Sequence, residues 1–422
     1  MTKRAWWLVI LNIVIPGSVQ LLAGNRKLGR FGVAATFTLW ALASVAAIVF
    51  FTVPTVLYTL ATNVWALAVA ELVLAAYAAL WVILTLDTLR LVKLIRTGPV
   101  ARPFIGALTA LALLATAGGA LYTVHLADVT RSTIQSVFDS GQYAAPVDGR
   151  YNILLLGGDA GADRMGLRPD SISVASVDAS TGATTIIGIP RNMEYIRFAD
   201  DSPLWQEFPN GYDCGDQCLI SYLYTYGIDN PELYPDAEAN GSNAGIEAMR
   251  DAASGVLGLE LQYYVLIDMQ GFANLVDALG GVDVEVPTRT AIGPITSSKP
   301  IGFIEAGPQH LDGANALWYA RSRFDSNDFE RMARQRQVQE AMLKQFEPAN
   351  VLSKFQAVAE AGAQVVRTDI PGVMLGIFVD LADKSRALPL AQLDLVPPDF
   401  DTSNPDYDRI HQAVRDSLVR PQ

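Results

Sequence analysis

Three apolar stretches, residues 31–53, 64–86 and 104–125, are each long enough for a bilayer-spanning helix, which needs about 20 residues, and all lie in the first third of the 422-residue chain. They commit the N-terminal part to helices in lipid, because a helix satisfies every backbone polar group internally. The composition agrees. At 51% hydrophobic residues and a mean hydropathy of +0.25, the chain is too apolar for a purely soluble protein. Charge is divided at the same place. Up to His125 there are nine Lys/Arg and two acids, Glu71 and Asp87, whereas the remainder holds 22 Lys/Arg and 41 Asp/Glu. A basic membrane module of residues 1–126 is thus followed by an acidic, water-soluble part.

The flanking charges orient the spans. Arg26, Lys27 and Arg30 precede the first, no charge lies between the first and second, and Arg90, Lys93, Arg96 and Arg102 precede the third. Basic loops stay cytoplasmic, which places everything after His125 outside. The shorter stretch 6–22 is broken by Pro16-Gly17 and has basic residues at both ends, so it reads as a re-entrant or interfacial hairpin rather than a fourth span or a cleaved signal peptide. Glu71 falls inside the second span with no partner visible in the sequence. Trp6, Trp7 and Trp65 suit an interfacial belt. The two cysteines, Cys214 and Cys218, lie in the outer part, where an oxidising compartment favours a disulfide over two free thiols; three histidines in the whole chain argue against a zinc site.

Residues 127–150 are polar and read as a linker. YNILLLGG then has the run of a buried strand, SISVASVD alternates, and ATTIIGIP follows a turn, so the last two pair as a hairpin. Helical patterns cover 243–257 and 269–279, with strands in LQYYVLID and VDVEVP, and further helices over 314–323, 328–346, 351–365 and 373–382. This mixture predicts an α/β domain over 151–396, with helices on both faces of a mixed sheet, and the acidic run 397–422 reads as a solvated tail. His310 and His411 are isolated.

Five arginines occur between Arg321 and Arg336 in a chain of net charge -12. On a helix beginning near Asp328, Arg331, Arg334 and Gln335 share the apolar face with Val338 and Met342, while Arg336 turns away toward solvent. Guanidinium groups on a buried face are costly unless an anion meets them. Internal pairing with Asp328 or Glu330 is one solution. Convergence on a polyanion is the other, since the planar fork of Arg matches phosphate oxygens in pairs. The early strands favour the second. Asp159 comes just after one strand and Asp170 just before the next, with Arg164 and Arg168 between them, and Arg191 ends the third. Carboxylates at strand ends beside such arginines suit Mg²⁺, which takes one or two carboxylates with phosphate oxygens and water.

In order and spacing, YNILLLGGDA, the RPDSI step, IPRN, LVDALGGVDVEVP, LDGANALWYARSR and DFERMARQRQ resemble the extracytoplasmic domain of the LytR-CpsA-Psr family over residues 151–343. The resemblance implies an α/β/α sandwich and a membrane-anchored phosphotransferase that moves a glycopolymer from a polyprenyl diphosphate carrier to peptidoglycan through a phosphodiester. It implies Asp159 and Asp170 as metal ligands, Asp170, Arg191 and Arg321 as catalytic groups, and Arg168, Arg191, Arg321, Arg323, Arg331, Arg334 and Gln335 as the pyrophosphate-binding set. One departure stands out: where the family commonly has Asp after the IPR arginine, this chain has Asn192, which keeps an accepting oxygen but carries no charge. The stretch 199–240, with the cysteine pair, is poorly matched and is expected to form a rim or lid. A non-catalytic cell-wall anion binder and a lipid pyrophosphatase are the rival readings. Nucleic acid is not an expected partner, because an acidic domain outside the membrane repels it.

Overall fold

A computed structural model describes residues 2–93, 95, 97–138, 141–158, 168–214, 217–294, 298–324, 326–345 and 366–419. The chain divides into two compact units, Met1–Ser132 and Thr133–Gln422.

The first unit is helical: α1 (Thr2–Val14), α2 (Ser18–Ala23), α3 (Arg26–Thr52), α4 (Pro54–Thr62), α5 (Val64–Val92), α6 (Ala101–Leu113) and α7 (Gly119–Phe138), the last two joined by a π-turn. Three helical segments, Arg26–Thr52, Val64–Val92 and Ala101–Gln135, are long and apolar enough to cross a membrane. The stretch read as a hairpin forms α1 and α2, broken at Pro16-Gly17. Gly17 has φ +93° and lies so close to α3 that a Cβ would come within 2.6 Å of the Val33 nitrogen, so only glycine fits. Polar side chains tie this hairpin to α5. Asn12 donates to the Thr85 hydroxyl at 3.1 Å, and Gln20 donates to the Leu84 carbonyl at 2.9 Å, contacts of the kind that hold helices together in lipid. Glu71 does have a partner: Arg131 Nε lies 3.1 Å from its carboxylate. The linker reading needs correction at its start, because α7 continues to Phe138.

The second unit is built on a six-stranded mixed sheet of order β10-β3-β2-β1-β4-β9, from β1 (Arg150–Gly158), β2 (Pro169–Asp178), β3 (Thr184–Ile189), β4 (Tyr263–Asp268), β9 (Val366–Thr368) and β10 (Ala391–Asp394). The antiparallel β2–β3 hairpin forms as read, while β1 pairs with β4 in parallel. VDVEVP becomes β5 (Val282–Val286), which joins β8 (Gly307–Leu311) in a separate ribbon, and β6 (Thr290–Ile292) pairs with β7 (Gly302–Ile304). The helices are α8 (Leu204–Glu207), α9 (Leu223–Asp229), α10 (Ala244–Leu257), α11 (Met269–Leu279), α12 (Gly313–Arg321), α13 (Asp328–Gln345), α14 (Leu375–Arg386) and α15 (Tyr407–Leu418). Their starts are capped as the sequence suggests: Asn243 accepts from the Ile246 N–H at the head of α10, and Asp268 from the Gly271 N–H at the head of α11. The expected helix at 351–365 lies outside the described residues.

One sheet face carries Leu154, Leu156, Ile172, Val174, Ile187 and Ile189, packed solidly with α10, α15 and the segment 193–224. The other face meets α11, α12, α13 and α14. The tail reading is overturned. Within 397–422, α15 buries Ile410 and Val414 in the same core as α10. Two apolar residues at i, i+4 suffice for one buried stripe even in a helix that is otherwise polar.

Candidate functional site

The site begins where β1 and β2 part. Gly157 pairs with Ser171 and Gly158 with Pro169, so Asp170 is the extra residue of a β-bulge, a device that bends a strand and re-aims a side chain. Its carboxylate accepts from Arg191 Nη1, which arrives from just beyond the end of β3. The Asp170 carbonyl accepts from Arg331 Nη2 at 3.1 Å.

A second carboxylate organises the rest. Asp328, at the head of α13, accepts from Arg323 Nη1 at 2.9 Å and lies 3.3 Å from Arg191 Nε and 3.7 Å from Arg331 Nη1. Burial pushes the Asp328 carboxyl up, but the charges of Arg331, Arg323 and Arg191 outweigh it and hold the group below the usual carboxylate value. Arg331 is only 2% exposed, and its Nε has no hydrogen-bond partner. Burial drives its guanidinium pKa down, against the raising pull of Asp328 and Asp170.

An apolar cavity of about 540 Å³ opens next to this cluster. Its walls include Ile153, Leu155, Ala175, Val177, Ile186 and Val265 of the sheet, and Leu275, Leu279, Met342 and Leu381 of the covering helices. Gly157, Gly158, Asp170, Ser171, Arg321 and Gln335 line it too, so a hydrocarbon-lined space ends in the polar groups of the cluster. Arg321 rests its guanidinium 5.2 Å over the Trp318 ring. Gln335 Oε1 is buried without a partner.

The remaining sequence-derived residues fall in three places. Arg334 donates from Nε to the Tyr319 carbonyl at 2.8 Å and from Nη2 to the Ser322 carbonyl and the Ser326 hydroxyl, so in this structure it braces the C-terminal end of α12. Arg168 is exposed and stacks 4.8 Å over the Tyr222 ring, apart from the cavity lining. Asp159 and Arg164 lie outside the described residues. Cys214 and Cys218 are joined in a disulfide. Asn192 Oδ1 is buried and unpartnered.

Arg336 is a correction. Instead of facing solvent it is 2% exposed, with Nε 3.0 Å from Asp394 of β10. Gly188 makes the space: a Cβ there would lie 2.1 Å from Asp394 Oδ1 and 2.7 Å from Arg336 Nη2. The helical wheel failed because the partner comes from a strand 58 residues later. Sequence reasoning also missed the small residues on one face of β2, Ser171 and Ala175, which with Gly157 line the cavity on the covered side of the sheet. Their signal was present in S-I-S-V-A as alternation of small with large.

Among the described residues no group of three His, Cys, Asp or Glu side chains is placed to hold a metal. The oxygen donors present, the Asp170 carboxylate and the unpartnered Gln335 Oε1, are of the chemistry that Mg²⁺ accepts alongside phosphate oxygens and water.

The family model described as the LytR_cpsA_psr family matches residues 122–393. Similar curated proteins include the polyisoprenyl-teichoic acid–peptidoglycan teichoic acid transferase TagU of Halalkalibacterium halodurans, 29% identical over 225 residues, 52% of this chain and 61% of that protein. Cell wall biosynthesis protein LcpA of Corynebacterium glutamicum is 28% identical over 296 residues, 64% of this chain and 55% of that protein. The match thus spans about half to three fifths of these relatives' length. The crystal structure of B. subtilis TagV aligns with 64% of this chain and 98% of its own, at 22% identity and a TM-score of 0.47.

Proposed function

The chain belongs to the LytR_cpsA_psr family, and on that premise we propose that it is a membrane-anchored phosphotransferase that moves a glycopolymer from a polyprenyl diphosphate carrier to peptidoglycan, with its second unit outside the cytoplasmic membrane. The observation that carries the reading is the apolar cavity ending at Asp170, Arg321 and Gln335. A prenyl chain needs hydrocarbon walls and its diphosphate needs guanidinium groups, and here the two meet. The basic residues before the first and third spans support the orientation. The names of the similar transferases agree with the donor and acceptor classes.

In this reading an acceptor hydroxyl oxygen bonds to the phosphorus that carries the glycopolymer. The bond from that phosphorus to the bridging oxygen breaks, and the electron pair leaves on the prenyl monophosphate. Arg191, Arg321, Arg323 and Arg331 neutralise charge on the diphosphate and the leaving group, the main demand of phosphoryl transfer. Asp328 holds three of those guanidinium groups in place before the donor arrives. Arg334 fixes the end of α12 next to Arg321. Asp170, one oxygen of which is engaged by Arg191, takes the hydroxyl proton. Mg²⁺, held by Asp170 and on the sequence argument by Asp159, would add further charge neutralisation on the phosphate oxygens.

Product analysis with a lipid diphosphate donor tests this reading. With a muropeptide acceptor the expected product is the phosphodiester. Release of the glycopolymer phosphate to water instead marks a pyrophosphatase, and binding without any product marks an anion binder. Asp170→Asn should bind the donor but lose turnover by roughly 100-fold or more; unchanged turnover removes Asp170 as the proton acceptor.

A further inference from the structure

A second concavity, of about 280 Å³, lies at the other end of the sheet from the arginine cluster. Gln262, just before β4, lines it, whereas Asp268 at the far end of the same strand lines the apolar cavity. The residue steps between them, at ~3.3 Å each, put roughly 20 Å between the two places. One wall is the strap that leads into β1. Gln142 Nε2 donates to Asn240 Oδ1 at 2.8 Å, and the Ala144 N–H donates to the Tyr263 hydroxyl at 2.9 Å. Gly141 packs so closely on the Asp369 backbone that no Cβ would fit. The strap is therefore fixed, and with it Tyr143, which lines the concavity while staying 64% exposed.

The other walls carry charge in a different balance from the arginine cluster. Arg250 of α10 serves two carboxylates: its Nη2 donates to Asp369, which is 7% exposed, and stands 3.6 Å from Glu247. Both Asp369 oxygens are engaged, the second by the Tyr264 N–H at 2.8 Å. Other groups are open to a ligand. Arg250 Nη1, the Glu247 carboxylate and Asn240 Nδ2 make no hydrogen bond among the described residues. One guanidinium against two carboxylates leaves no excess positive charge, so a phosphate or carboxylate ligand is disfavoured here. Donors on Arg250 and Asn240 beside an acceptor on Glu247 instead match a hydroxyl, which accepts and donates at the same atom.

We propose that this concavity binds an uncharged saccharide unit of a glycan, with neighbouring ring hydroxyls on Arg250 and Glu247 and the apolar face of the sugar on Tyr143. Tyrosine offers a broad apolar ring with a polar tip, which suits a pyranose that has C–H groups on its face and hydroxyls at its edge. The volume, just under the roughly 300 Å³ at which drug-sized pockets begin, fits one or two sugar rings. The site goes beyond the transferase reading and does not depend on it. Set roughly 20 Å along β4 from the end that lines the apolar cavity, it holds a polymer several sugar units away from the arginine cluster.

The test titrates the full chain, in a detergent without a sugar head group, with two uncharged tetrasaccharides, one of N-acetylglucosamine and one of glucose. Binding of either supports the site, and the stronger of the two tells whether an N-acetylated glycan or a plain hexose polymer is the natural occupant. Glu247→Gln is expected to weaken the sugar roughly fivefold, as a charged acceptor becomes a neutral one. Tyr143→Ala should also cost roughly fivefold, because the ring face is lost, whereas Tyr143→Phe should stay within about twofold of the wild type. The Tyr143 variants should keep the wild-type thermal midpoint, since that side chain is exposed. Excess farnesyl diphosphate should leave sugar binding unchanged. The proposal is overturned if neither tetrasaccharide binds, if binding is indifferent to both Glu247→Gln and Tyr143→Ala, or if farnesyl diphosphate displaces the sugar, which would put it at the arginine cluster instead.

Discussion

The two faces of the central sheet come from the same strands and share one hydrophobic character, yet one is solid and the other hollow. Leu154 points into the packed core and is fully buried, whereas Leu155, its neighbour, lines the cavity. The difference lies in residue size. On the filled face each strand contributes Leu, Ile or Val, and α10 closes over them with Ala248, Ala252 and Ala253. Across the sheet, Gly157, Ser171 and Ala175 leave volume that the covering helices do not fill. A cavity lined by apolar groups forgoes dispersion contacts, so its retention in the fold points to an occupant.

The sharpest way to break the comparison is to truncate the adjacent leucines. Leu154→Ala should cost about 3–5 kcal/mol, because the dense core cannot collapse around the lost atoms. Leu155→Ala only enlarges an existing space and should cost roughly half that or less. Thermal unfolding of the two variants in detergent measures the gap. Equal losses would mean that both faces are equally packed and that the hollow is not a property of the folded protein.

Filling the hollow makes the opposite demand. Ala175→Phe puts a ring where hydrocarbon would lie, displacing the volume of three or four methylene groups at about 0.8 kcal/mol each, which weakens a prenyl diphosphate roughly 100-fold. Stability should change by less than about 1 kcal/mol, since the ring enters open space. Unaltered binding of a long-chain prenyl diphosphate would show that the lipid lies elsewhere.

Much of this was legible beforehand, and the failures have a common cause. Period and turn chemistry located β1, β2 and β3, and the inward face of α13 was read correctly at Arg331, because those signals are local. Asp170 and Arg191 were each placed at a strand end of one hairpin, as metal ligand and phosphate-binding group, but their contact with each other was not read. Arg336 was misread because its fate depends on Asp394 and on the missing side chain of Gly188, neither visible from the helix. The C-terminal run was misread because its acids hid a helix whose buried stripe is Ile410 and Val414, flanked by the half-buried Tyr407, Ala413 and Leu418. Alternation also cannot tell a solvated face from a hollow one. Of the residues that alternate in SISVASVD, Ser171, Ala175 and Val177 line a covered cavity.

The smallest effect belongs to the rim of the hollow face, where Asp328 gathers three guanidinium groups that the filled face has no counterpart for. Asp328→Asn keeps shape but removes the charge that spaces Arg191, Arg323 and Arg331, and should lower kcat/KM for transfer by roughly tenfold, the loss expected when charge-assisted bonds become neutral ones. The change should also alter how stability depends on pH. The folded protein holds this carboxyl below its ordinary value of 3.8, so its contribution is present above that pH and is lost as pH falls through the depressed folded value. The wild type should therefore shed stability on acidification below about pH 4 more steeply than the variant. Thermal midpoints between pH 5 and pH 3 give the comparison. Parallel acid limbs would mean that the three arginines are held by their packing, and that Asp328 is a bystander to the cluster it touches.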